Sequence, residues 1–208
     1  MKVYMHYCPY GFSNCYIVGT DIKHKTSPRD AVVVDPGNME EPMLNFIEKH
    51  HYTLRGVLIT HDHLNHVHGL RTLKRIYETE IYAVNPVVRS QKTRVIRDGD
   101  VLHLGNLDIT VITVPGHSSD SAVFRINQTL FTGDTITAGL LGTTISSYGR
   151  IIQMNNLRGK VLSLPGNFVV LPGHGPPTTL EAERQFNAGI QSYGQNKYKQ
   201  GRFRAEFN

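Results

Sequence analysis

The sequence predicts an α/β protein: two β-α-β halves fused in one domain. Three observations carry this expectation. Short apolar runs ended by glycine or proline-glycine signals recur along the chain, as in "NCYIVG", "AVVVDPG" and "GVLIT". Segments of helical spacing separate the early runs, such as residues 39–50 with apolar positions 39, 43, 44, 46 and 47. The length of 208 residues, with 39% hydrophobic and 19% charged residues, fits one globular domain with at most a short appendage.

Taken in order, residues 14–19 and 31–37 read as strands. Asn38 is placed to cap the helix that follows, with Glu41 three residues on in a capping-box arrangement. Residues 56–60 read as a buried strand, 69–77 as a helix and 81–84 as a strand. From residue 95 the texture becomes short, β-rich and turn-bounded, as in a meander ("DVLHLG", "LDITVITVPG", "SAVFRI", "TLFTGD"). Residues 135–150 form a glycine- and threonine-rich loop. A weakly helical stretch, the strand 167–173 and a final helix over 178–189 complete the chain. We expect one domain over 1–190 and a basic, aromatic tail over 191–208. Lys197, Lys199, Arg202 and Arg204 there face only Glu206, so the tail holds +3 of the formal +5. That tail is read as a solvated segment rather than a nucleic-acid contact.

No run is long and apolar enough for a membrane span, and the N-terminus lacks the apolar core of a signal peptide; the expected location is cytoplasmic. Cys8 and Cys15 are not spaced as a redox or metal pair. Cys15 reads as a small buried residue and Cys8, before Pro9, as a loop residue.

The chemistry lies at four strand ends. "VLIT" leads to His61, His63 and His66, "ITVPG" to His117, "TLFTG" to Asp134 and "FVVLPG" to His174. Imidazoles with one carboxylate suit divalent zinc, iron or manganese. Five histidines and a carboxylate able to bridge suffice for two adjacent ions. Asp62 reads as solvated or as a support to the ligands, and His68 as solvent-facing.

These residues resemble the metallo-β-lactamase superfamily, whose signature runs T-H-x-H-x-D-H and then a distant His, Asp and His. Here it stands as Thr60-His61-Asp62-His63-Leu64-Asn65-His66, with His117 in "PGHS", Asp134 in "TGD" and His174 in "PGHG". The short chain and "LFTGDTITAGLLGTT" are most similar to small glyoxalase II-like hydrolases. The resemblance implies a four-layer αββα sandwich of two mixed β-sheets. It implies one ion on His61, His63 and His117, a second on His66 and His174, and Asp134 bridging them. It assigns catalytic roles to Asp134 and to position 65, where the family's aspartate is replaced by Asn65. Asn65 still offers an amide oxygen as a ligand, but no charge and no proton acceptor, so the second ion is expected to be held less tightly.

The expected function is therefore a metal-dependent hydrolase of thioesters or esters acting through a metal-activated hydroxide, with zinc as cofactor, iron or manganese as alternatives, and a small molecule as substrate. Tyr148 is a candidate substrate contact. A single-iron oxidoreductase resembling the persulfide dioxygenases keeps the same fold and ligands; a nucleic-acid phosphodiesterase and a non-catalytic binding protein are the remaining readings. The loop 139–144 lacks the basic residue of the closest small relatives, which leaves glutathione recognition without an evident partner.

Overall fold

A computed structural model describes residues 1–20 and 29–193. It contains β1 (Lys2–Cys8), β2 (Ser13–Gly19), β3 (Asp30–Val34), α1 (Glu41–Lys49), β4 (Thr53–Leu58), α2 (Leu64–Val67), α3 (Leu70–Ile76) and β5 (Ile81–Ala83). A small hairpin, β6 (Val87–Val88) and β7 (Gln91–Lys92), precedes β8 (Arg94–Val95). The second half holds β9 (Val101–Leu104), β10 (Leu107–Thr113), β11 (Ala122–Ile126), β12 (Thr129–Gly133), α4 (Ser147–Asn156), β13 (Val169–Pro172), β14 (Thr178–Thr179) and α5 (Leu180–Phe186).

Two mixed sheets of six strands result, in the orders β1-β2-β3-β4-β5-β8 and β14-β13-β12-β11-β10-β9. The period-2 alternation of strand side chains sorts the apolar residues into three layers. In β2 and β3, Cys15, Ile17, Ala31 and Val33 pack with Met43 and Ile47 of α1 and Leu70 and Leu73 of α3. Their neighbours Tyr16, Val18, Val32 and Val34 point the other way and meet Ile109, Val111, Phe124 and Phe131 between the sheets. Beyond the second sheet, Val123, Leu130 and Val170 pack with Met154 of α4 and Leu180 of α5. The order is helices, sheet, sheet, helices: the αββα sandwich.

Hydrogen bonds across the two sheets fix their relative position. At one end the buried Asp30 carboxylate accepts from Arg55 Nε at 2.6 Å and from the Asn106 amide nitrogens at 3.0 and 2.7 Å. At the other end Tyr16 Oη donates to Pro172 O at 2.6 Å, and Asn14 Nδ2 donates to Pro172 O and Gly175 O at 3.0 and 2.8 Å. Asn14 and Tyr16 thereby hold the turn that carries His174.

Several local expectations are corrected. The first seven-residue strand was not evident in the sequence; β1 forms the edge of its sheet, and Cys8 is its buried last residue rather than part of a loop. The Asn38–Glu41 capping box does not form. The helix starts at Glu41 beside Pro42, while Asn38 Oδ1 accepts from Met39 N and Asn38 Nδ2 donates to Glu40. The loop after Asp134 ends earlier than expected, at Ser146, whose hydroxyl caps α4 by accepting from Gly149 N. The final helix breaks at Asn187, and residues 188–193 are helical again. Tyr193 lies under the Arg158 guanidinium at 5.0 Å; residues 194–208 lie outside the described ones. No helix among the described residues is long and apolar enough to cross a membrane.

Candidate metal centre

Each expected ligand follows a strand of the sandwich at the same edge. His61 and His63 lie on extended chain after β4, and His66 follows in α2, which begins at Leu64. His117 follows β10, Asp134 follows β12, and His174 follows β13.

The folded chain brings all six together. His61 Nε2 and His117 Nε2 stand 2.9 and 3.0 Å from His63 Nδ1. Asp134 Oδ2 stands 3.9 Å from His61 Nε2 and 3.7 Å from His117 Nε2. Asp134 Oδ1 faces the second group, 2.7 Å from His174 Nδ1 and 3.5 Å from His66 Nε2. Two sets result, His61/His63/His117/Asp134 and His66/Asp134/His174, with donor atoms within 4.8 Å of one another in each. Asp134 belongs to both.

The tautomers fit a cation. His61 Nδ1–H donates to Thr60 Oγ1 at 3.1 Å, and His117 Nδ1–H donates to Thr143 O at 2.7 Å. Their Nε2 lone pairs are thus both aimed at His63 Nδ1, which has at most one proton to give. A tetrahedral ion with bonds of about 2.0–2.1 Å sets its nitrogens roughly 3.4 Å apart, close to this spacing. His66 gives an independent sign: Nδ1–H donates to Asp35 Oδ2 at 2.9 Å, while Nε2 is buried with no hydrogen-bond partner among the described residues. A buried imidazole nitrogen oriented by a carboxylate on its other side is the arrangement of a metal ligand.

Charge separates the two sets. Burial, reinforced by the neighbouring imidazoles, pushes His61 down to about 2, and burial also lowers His63. Burial works against charge on His66 too, but the carboxylates of Asp134 and Asp35 outweigh it and lift the group to about 9. At 3.5 Å Asp134 acts on His66 Nε2 through its field rather than through a formed hydrogen bond. His174 is raised by its hydrogen bond to Asp134. Burial opposes the Asp134 carboxylate, yet the hydrogen bond from His174 and the field of His66 hold it well below the usual carboxylate range.

Asn65 reaches the centre through its amide, 3.0 Å from His174 Nε2, which also lies 3.2 Å from Gly11 O. A neutral His174 accepts from Asn65 Nδ2; a protonated one donates to Gly11. Asp62 is outside both donor sets. Its backbone N–H donates to Asp120 Oδ2 at 2.9 Å, and burial together with Asp120 raises its carboxyl. His68 is exposed and stacks on Tyr10 with ring centroids 4.1 Å apart. Tyr148, on the first turn of α4, is exposed.

Two groups that build the site were not singled out from the sequence, Asp35 and Thr143, and Thr60 was read only as part of the signature. Asp35 carried the same signal as the ligands, a polar residue just past an apolar strand. Thr143 acts through its carbonyl, which no side-chain pattern announces.

The Metallo-beta-lactamase superfamily model matches residues 8–182. The chain belongs to that superfamily. An uncharacterized protein of Mycobacterium tuberculosis (strain ATCC 25618 / H37Rv) is 31% identical, over 86% of this chain and 92% of its own. Hydroxyacylglutathione hydrolase GloC of Haemophilus influenzae is 26% identical, over 86% and 93%. The crystal structure of the BLEG-1 B3 metallo-beta-lactamase shares the fold, with a TM-score of 0.79 at 22% identity over 91% of this chain and 99% of that one.

Proposed function

We propose that this protein is a metal-dependent hydrolase of thioesters or esters, of the glyoxalase II kind, with a tight first ion and a weaker second one. The observation that carries the reading is the convergence of five imidazoles on the two oxygens of Asp134, with His66 Nε2 buried and without a hydrogen-bond partner among the described residues. The similarity to a hydroxyacylglutathione hydrolase supports the reaction class. Zinc is the ion this nitrogen-rich set suits, and iron also fits it.

His61, His63 and His117 would hold the first ion, and His66 and His174 the second, with Asp134 in both sets. Bound there, a divalent ion supplies a water that loses its proton near pH ~7 rather than 15.7 and polarises the carbonyl under attack. The protein's own contribution is orientation. Asp35 and Thr143 fix His66 and His117 with their free nitrogens inward, and Thr60 does the same for His61 while donating to Asp35 Oδ2 at 2.6 Å. Asn65 adds no negative charge, so Asp134 is the one carboxylate that two ions would share. This supports unequal occupancy.

Elemental analysis of protein purified without added metal, followed by rates on acyl-thioesters, esters, lactones and phosphodiesters, tests the reading. Zinc with thioester or ester cleavage is the expected result. Bound iron with oxygen consumption would transfer the site to the persulfide dioxygenase reading. A fully metal-loaded protein that cleaves none of these compounds would end the hydrolase reading.

A further inference from the structure

Three segments without Lys, Arg, Asp or Glu touch the metal centre, and each presents a large apolar side chain to solvent. Residues 7–19, 63–70 and 136–149 contain no Lys, Arg, Asp or Glu. In the first, Phe12 is 68% exposed. Both of its neighbours are fastened to the site: Gly11 O lies 3.2 Å from His174 Nε2, and Ser13 Oγ donates to Asn65 O at 2.6 Å. A side chain at Gly11 would overlap that of Asn65, so the turn is pressed against α2. Phe12 itself has φ +56°, a left-handed conformation that is costly for a bulky residue. Its ring nearest in contact is Tyr7, with centroids 6.5 Å apart. A strained aromatic held out beside a metal centre is better explained by what it meets there than by packing.

The third segment repeats the pattern across the site. Thr143 O accepts from His117, and two residues later Ile145 is fully exposed. Ser146 then caps α4, which anchors the far side of this loop. In the second segment Leu64 stands between His63 and Asn65 and is partly exposed. Among the described residues, Arg89 acts on the Asp62 carboxylate beside the centre, and Arg150 donates to Gly189 O at 3.2 Å.

We propose that Phe12 and Ile145 set specificity, selecting a neutral ester or thioester whose acyl chain is apolar, over a substrate with charged carboxylates. This rests on the hydrolase reading above. Apolar surface beside the carbonyl gains by covering a chain, whereas a peptide-like thiol carrying carboxylates would lose hydration here with no cation among the described residues to replace it.

The test uses the zinc-loaded full-length protein with acetyl, butanoyl and hexanoyl thioesters of N-acetylcysteamine, and with lactoylglutathione for comparison. A fully buried methylene is worth about a fourfold change in binding. On a half-open rim the four added methylenes should lower KM about tenfold from acetyl to hexanoyl. Phe12→Ala and Ile145→Ala should each raise the hexanoyl KM about fivefold and the acetyl KM less, while Phe12→Leu should restore most of the gradient. Calorimetry with the uncleavable S-hexyl thioether of N-acetylcysteamine reads the same rim without turnover, and melting curves check that the variants fold. Hydrolysis with no chain-length gradient, or with lactoylglutathione preferred, would overturn this inference and leave the hydrolase standing. If the hydrolase reading fails in its own test, thioether binding lost in both alanine variants still supports the rim; no thioether binding would overturn it.

Discussion

Asp35 Oδ2 lies 2.9 Å from His66 Nδ1 and 2.6 Å from Thr60 Oγ1, and Thr60 in turn holds His61. One buried carboxylate therefore orients a ligand of each proposed ion. Asp35 Oδ1 also accepts from Thr60 N at 2.8 Å, so its own position is fixed by the strand end it serves. An Asp35→Asn variant leaves the size unchanged but turns one acceptor into a donor facing two donors. Loss of such a supporting partner costs about 10–100-fold in metal affinity. We expect a loss of that size, greater at the His66 set, in chelator competition with metal-free protein.

That relationship also marks what could be read in advance. Chain order placed His61, His63, His66, His117, Asp134 and His174 at strand ends, because a ligand side chain must follow the strand that aims it. Asp35 obeyed the same rule, but a lone carboxylate after "VVV" looks like ordinary strand punctuation until His66 is seen against it. The two apolar layers on either side of β2 and β3 were legible only as continuous runs, since both faces of a central strand are buried. Strand β1 was missed because as an edge strand its residues alternate between half-exposed and exposed, leaving no apolar run. The failure of the Asn38 capping box is a competition: Asn38 serves Met39 and Glu40 instead.

The Asn65 amide at 3.0 Å from His174 yields the second prediction. Replacing it by aspartate adds one negative charge next to the second donor set. Two unit charges at 4 Å interact by roughly 4 kcal/mol at the effective dielectric of a protein surface, and desolvation removes much of this. An increase of at least tenfold in second-ion affinity is the expected outcome for Asn65→Asp. Dialysed wild type should retain close to one ion per chain and the variant close to two, read by elemental analysis. Two tightly held ions in both would refute unequal occupancy.

Acidity should affect the two sets differently. His61 and His63 are pushed down, so their nitrogens are bare at neutral pH. His66 is raised to about 9 against the effect of burial, so it must lose a proton when an ion arrives, and the upward shift of His174 by Asp134 acts in the same direction. First-ion affinity should be nearly flat above pH 7, while second-ion affinity should climb toward pH 9 with protons released. Calorimetry in buffers of different ionisation enthalpy at several pH values separates the two. The sign for the metal-free fold is opposite. A raised imidazole pKa stabilises fully below the ordinary value of 6.5, and that contribution is lost as pH rises through about 9. The melting temperature of metal-free protein should fall across that interval.

Gly173 gives the last prediction. It precedes His174, and a Cβ there would overlap His66 Cε1 and sit 2.5 Å from Asp134 Oδ1. Neither neighbour can yield, since His66 is tied to Asp35 and Asp134 to His174. Overpacking of this kind typically costs about 1–3 kcal/mol. Here the displaced atoms are donors of the second set, so Gly173→Ala should weaken the second ion by more than tenfold and lower the melting temperature. Gly159, with open space around it in a helical segment, is the matched control: alanine there should be neutral or stabilise by about 0.5–1 kcal/mol. Equal behaviour of the two variants in metal titration and melting would mean that the close packing at Gly173 does not shape the centre.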